Sequence, residues 1–203
     1  MSRAAAERAV ALERSWFDRP SPTLARDLLG CRLVHAAPEG TVSGRIVEVE
    51  AYQGPEDQAA HSARGLTARN AVMFGPPGHL YVYLIYGLHH CLNVVAGPAD
   101  KPEAVLIRAL ELDEGVELAR ERRGPAVPDR RLASGPGNVG QALGVDRSLN
   151  GADLLAGPVW IEPRSGRPPR VSRGPRIGVA YAGAWAARPL RFWITDEPHV
   201  SRR

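Results

Sequence analysis

At 203 residues, 44% of them apolar and 24% charged, the chain has the size and composition of one ordinary globular domain with a hydrophobic core, or at most two small ones. Cys31 and Cys91 make no disulfide framework, no run nears the roughly 18–20 apolar residues of a membrane helix, and the opening "MSRAAAERAVALERSW" lacks the apolar core of a signal peptide, so a reducing, cytoplasmic setting is expected. The net charge is +4 with one lysine, Lys101, and the tail from Trp160 onward carries nine arginines against three acids, a balance that suits either a polyanionic partner or a solvated basic face.

No segment repeats and no long linker divides the chain. The start reads as a helix with a Glu and Arg face. "SPTLARDLLG" reads as a second, with Pro22 in its first turn and Gly30 at its stop. "CRLVHA" and "TVSGRIVEVEAY" alternate like strands, and "GPEDQAAHSARGLTARN" is a long polar loop. "GHLYVYLIYG" and "HHCLNVVAG" are strand-like runs meeting in a turn around Gly87. "EAVLIRALEL" is a further apolar run, followed by a helix through "DEGVELARERR". "GPAVPDRRLASGPG" is breaker-rich and expected to be mobile, and "NVGQALGV" is a short helix. "PVWIEP", "RIGVAYAG" and "LRFWIT" are late strands around an Arg/Pro loop. Strands in the middle with helices at the flanks predict an α+β fold, a largely antiparallel sheet as its core.

Strand alternation puts Ile46, Glu48 and Glu50 on one face of "RIVEVEAY" and Val47, Val49 and Ala51 on the other. Two acids on a strand face ordinarily mark a wet face. The alternative is one working carboxylate beside Tyr52, a general base for water. A glycosidase pair is disfavoured, because carboxylates two residues apart on a strand do not flank a sugar from opposite sides. His89 and His90 are adjacent and point to opposite strand faces, and neither a His-Glu-x-x-His helix, a Cys-x-x-Cys pair nor a deaminase signature occurs, so no metal is expected. "GPGNVG" matches a dinucleotide fingerprint only formally, since no strand precedes it. It reads as a helix-capping turn, a phosphate-holding helix start, or the turn of a helix-hairpin-helix module. Three of the chain's 5 tyrosines, Tyr81, Tyr83 and Tyr86, crowd into "HLYVYLIYG"; strand packing and recognition of a flat group both account for that.

Together, "RIVEVEAYQGPEDQAAHS", "LTARNAVMFGPPGHLYVYLIYGLHHCLNVV", "AVLIRALE", "SGPGNVGQALG" and "RIGVAYAGAWAARPLRFWI" closely resemble the alkyladenine-type 3-methyladenine (methylpurine) DNA glycosylases, in the family's order and from about Phe17 onward. The helical extension over 1–16 has no counterpart in that family, and the resemblance implies a single glycosylase domain over 17–203. It also implies a Tyr-bearing β-hairpin that projects to DNA, no cofactor, and a monomer acting on damaged double-stranded DNA. The implied reaction is that of a monofunctional enzyme of base excision repair, which flips a damaged purine out and hydrolyses its N-glycosidic bond with water. Position by position, Glu50 matches the general base, Arg108 an arginine at the water and the DNA backbone, and Ile177 a residue whose carbonyl serves the same water. Tyr52, His61 and Tyr83 match the walls of the base pocket, Asn93 the asparagine linked to rejecting guanine, and Tyr86 the residue that enters the duplex. Tyr81 receives no role. The loops at 124–133 and 163–175 look variable. Rival readings are a structural DNA-binding protein on the same basic face and a nucleoside hydrolase using Glu50.

Overall fold

The computed structural model describes residues 12–202. Of the expected helical extension, residues 1–11 lie outside the described residues, and Arg14–Phe17 form one helical turn, α1. Helix α2, Ser21–Leu28, has Pro22 in its first turn, and the chain leaves it through Gly30 at φ 86°, a left-handed conformation that glycine adopts without cost. Strands β1 (Arg32–Ala37), β2 (Gly40–Tyr52), β3 (Leu80–Ile85), β4 (His89–Ala96), β5 (Glu103–Glu114) and β6 (Val159–Glu162) lie in the order β3-β4-β5-β2-β1-β6. Strands β7 (Val171–Gly174) and β8 (Arg191–Ile194) pair with each other, and β8 pairs with β2. Every pairing is antiparallel, as the α+β reading expected. Helices α3 (Val116–Arg123), α4 (Asp129–Leu132) and α5 (Pro136–Leu143) follow β5. Among the described residues no helix is long and apolar enough to cross a membrane.

The two faces of the sheet do different work. Val47, Val49 and Ala51 of β2, Val105 and Ile107 of β5, Leu92 and Val94 of β4 and Leu80 and Val82 of β3 enter one large core with Leu24, Ala25 and Leu28 of α2. Their alternates on the other face are Glu50 and Tyr52, Leu106 and Arg108, Cys91 and Asn93, Tyr81 and Tyr83, and these line a cavity. Strand β2 changes partner along its length: residues 40–45 pair with β1 and 48–50 with β8, while β5 follows its other edge. At the change, Val47 on β2 and Arg108 on β5 are each an extra residue between paired neighbours, and the two irregularities cancel. Bulges of this kind re-aim side chains. Here Ile46, placed with the glutamates by simple alternation, joins the core instead.

Several segments differ from expectation for local reasons. "RIGVAYAG" forms no strand. Gly178 and Gly183, at φ 79° and 55°, break the extension, and Ala180–Trp185 coil into 3-10 turns. Strand β7 lies within the expected Arg/Pro loop. The breaker-rich stretch contains α4 and buries Leu132 and Ala133 completely or nearly so. "GPGNVG" starts α5, and its glycines permit close packing on β4: a Cβ at Gly140 would stand 2.1 Å from the His90 carbonyl oxygen.

Candidate active site

Burial turns the pair of acids on β2 from a surface feature into a site. Glu48 and Glu50 are both 0% exposed, which rules out the wet-face reading. A buried carboxylate costs several kcal/mol unless it is paired and hydrogen-bonded. Glu50 meets that demand from three segments. Its Oε1 accepts from the Ile177 amide at 2.7 Å and lies 3.3 Å from Arg108 Nη1, and its Oε2 accepts from the Tyr52 hydroxyl at 2.9 Å. Burial pushes the Glu50 carboxyl above the ordinary range, and Arg108, the Ile177 amide and the Tyr52 hydroxyl pull it partly back. Burial, with the Glu50 charge beside it, holds the Tyr52 phenol protonated, as a donor must be.

Glu48 is saturated. Its Oε1 accepts from Arg108 Nε at 3.2 Å and Arg191 Nη1 at 3.0 Å, and its Oε2 from the Ser201 amide at 2.6 Å. Arg108 is therefore shared between the two glutamates, and its Nη2 reaches the Ser201 hydroxyl at 3.3 Å.

Above Glu50 lies a cavity of about 330 Å³, within the range of small-molecule sites. Its walls include Tyr52, His61, Tyr81, Tyr83, Asn93 and Tyr181. The His61 and Tyr83 rings stand edge to face at 4.5 Å between centroids, and Tyr81 lies 5.4 Å from Tyr83. The Arg69 guanidinium covers Tyr83 at 5.2 Å. His61 Nδ1 and the Tyr81 hydroxyl share a 2.8 Å hydrogen bond. Burial, helped by the charge of Arg69, lowers the His61 pKa to about 4, so the imidazole is neutral at pH 7. Asn93 donates from Nδ2 to the Tyr81 carbonyl at 3.0 Å, which fixes its orientation. Asp57 and Arg176, both fully buried, form a two-point pair at 2.5 and 2.8 Å; it ties the loop before His61 to the segment bearing Ile177. The Arg176 guanidinium also lies 4.6 Å from the Tyr52 ring centre.

All eight residues singled out in the sequence line this one cavity. The geometry adds two details to the resemblance. The Ile177 amide itself donates to Glu50. Tyr86 sits in the β3–β4 turn at φ 53°, so strand parity does not decide its direction. It is 86% exposed beside Leu88 at 77%. Sequence reasoning missed Tyr81, Glu48 and the Asp57–Arg176 pair. The first two carried a signal, each being two residues from a named residue on the same strand face. The last, separated by 119 positions, carried none.

A neutral imidazole, several phenols and an amide around a buried carboxylate make a pocket with room for a flat, polar ring. Residues 15–198 match the family described as Methylpurine-DNA glycosylase (MPG). The chain is 50% identical over 194 residues to a protein of Streptomyces avermitilis named as a candidate 3-methyladenine DNA glycosylase, covering 94% of this chain and 90% of the relative. Relatives with the same name in Methanocella arvoryzae and Methanoculleus marisnigri are each 49% identical, over 95% and 96% of this chain and 96% and 100% of theirs. The chain belongs to the methylpurine-DNA glycosylase family, enzymes that hydrolyse the N-glycosidic bond.

Proposed function

We propose that residues 17–203 act as one monofunctional DNA glycosylase domain, a monomer in the cytoplasm that takes an alkylated purine out of duplex DNA into this cavity and leaves an abasic site. The observation that carries the reading is Glu50, wholly buried at the floor of an aromatic pocket yet held by three donors. A carboxylate has about four acceptor positions, so a water is the natural fourth partner. As the C1′–N bond breaks, its electron pair goes to the base and positive charge builds on the sugar. Glu50 stabilises that charge and takes the proton of the water whose oxygen attacks C1′. Arg108 orients the water and the backbone phosphate.

Purines such as 3-methyladenine and 7-methylguanine are cationic when alkylated and leave without a general acid. The faces of Tyr52 and Tyr83 and the neutral ring of His61 hold such a base, each contact contributing about 0.5–2 kcal/mol. Hypoxanthine and ethenoadenine are neutral purines of similar outline and fall within the same proposed range. Asn93, fixed against the Tyr81 carbonyl, is the wall that turns guanine away. Tyr86 enters the space vacated by the flipped nucleotide, offsetting part of an unstacking cost of a few kcal/mol. A strand-cleaving glycosylase needs an amine nucleophile. Lys101 is 53% exposed, pairs with Glu103 at 2.8 Å and lies outside the cavity lining, which supports simple hydrolysis.

The test is a labelled duplex bearing one ethenoadenine or hypoxanthine, alongside DNA rich in 3-methyladenine. Strand breaks should appear only after alkali. Glu50→Gln should abolish base release and keep binding to damaged DNA, and breaks without alkali would overturn the monofunctional reading.

A further inference from the structure

Resting on the reading of Glu50 as base, we propose that Glu48 is a positioning residue of the reaction: it fixes Arg108 and takes up part of its charge, which leaves Glu50 free to accept a proton from water. Glu48 is absent from the cavity lining, so it acts through Arg108 and not on the base or sugar. All three guanidinium nitrogens of Arg108 are assigned. Nε goes to Glu48, Nη1 to Glu50 and Nη2 to Ser201. The guanidinium is thereby held with one edge toward each glutamate. The cluster is electrically closed, with Glu48 and Glu50 against Arg108 and Arg191.

This arrangement matters because an undivided Arg108–Glu50 pair would favour the charged carboxylate strongly and make it a poor base. The groups facing Glu50 are Glu48 and Tyr52 on its own strand, Tyr83 on β3, Cys91 on β4, Arg108 on β5 and the Ile177 amide. Arg176 reaches it only across the Tyr52 ring, and Arg191 only through Glu48. Glu48 is the one other carboxylate in the set, so it alone can divide the charge of Arg108. Buried ion pairs contribute little net stability. The effect of this one falls on where Arg108 points and how tightly Glu50 holds a proton.

The experiment is single-turnover base release as a function of pH from a duplex bearing one 7-methylguanine, whose departure needs no acid. Removing the charge in Glu48→Gln returns Arg108 to Glu50 and should move the acid limb about one pH unit down, with a plateau rate lower by about tenfold. Glu48→Asp, which keeps the charge, should leave the limb near its parent position. Arg191→Gln removes the balancing cation and should move the limb up. That opposite shift decides the matter if Glu48→Gln fails to fold. A purely structural role would lower the melting temperature of the variants without moving either limb, and coincident limbs overturn the proposal. Glu50→Gln run alongside separates the two levels: if it still releases base, the reading of Glu50 fails, and if it is inert while the limbs coincide, only the role of Glu48 fails.

Discussion

His61 shows how a single residue ties pocket chemistry to stability. Its pKa falls from the ordinary 6.5 to about 4 on folding. A depressed folded value means that its contribution to stability is whole above pH 6.5 and is lost as pH falls toward 4. The ring is partly exposed, so about 1 kcal/mol, some 2–4 °C in melting temperature, is expected to disappear across that window. His61→Asn should flatten the decline, and thermal melts between pH 7 and 4 check it. Tyr81→Phe removes the hydroxyl that meets His61 Nδ1, and should cost about 1 kcal/mol in urea unfolding while slowing base release several-fold. Tyr81 was legible in principle, since it shares strand parity with Tyr83. The sequence did not show a partner for its hydroxyl, because His61 comes from a loop 20 residues earlier whose path depends on the buried Asp57.

At the scale of elements, the β3–β4 hairpin separates function from stability. Tyr86 and Gly87 both have positive φ, 53° and 67°, but only the tyrosine pays for it, by about 1 kcal/mol. Tyr86→Gly should relax the backbone and keep the melting temperature within about 2 °C of the parent or raise it, since the relief and the added chain entropy are of similar size. Base release from duplex should nonetheless fall by tenfold or more if the ring is the wedge. Calorimetry and single-turnover kinetics on one preparation test both halves. The hairpin was readable from two β-rich runs around Gly87. The paired bulges at Val47 and Arg108 were not, because they arise where β2 exchanges β1 for β8, a fact of long-range pairing. For the same reason "RIGVAYAG" looked like a strand: its apolar residues face the cavity rim and a small cluster with Ala59 rather than a neighbouring strand.

For the whole molecule, an antiparallel sheet was legible because its strands alternate or run apolar. Which of its faces would be hollow was not. Charged residues on β2 read as exposed until Arg108, Arg191 and two backbone amides from distant segments are brought against them. The net charge of +4, with arginine supplying nearly all of the positive charge, leads to a further expectation. If arginine–phosphate contacts dominate duplex binding, raising salt from about 50 to 200 mM should weaken it at least tenfold, with a slope that counts the phosphates engaged. A flat salt response in a filter-binding or anisotropy titration would exclude that mode.

The Ser201 amide donates to Glu48 from 153 positions away. During synthesis, then, residue 201 must emerge before this contact can form. A ribosome-held chain that has already paired β2 with β5 but stops short of residue 201 should hold Glu48 with one donor fewer. Such a chain should bind a damaged duplex and release the base about tenfold more slowly than one that includes residue 201. Stalled nascent chains of graded length, assayed for binding and for base release, would show the two activities reaching their full levels at different lengths.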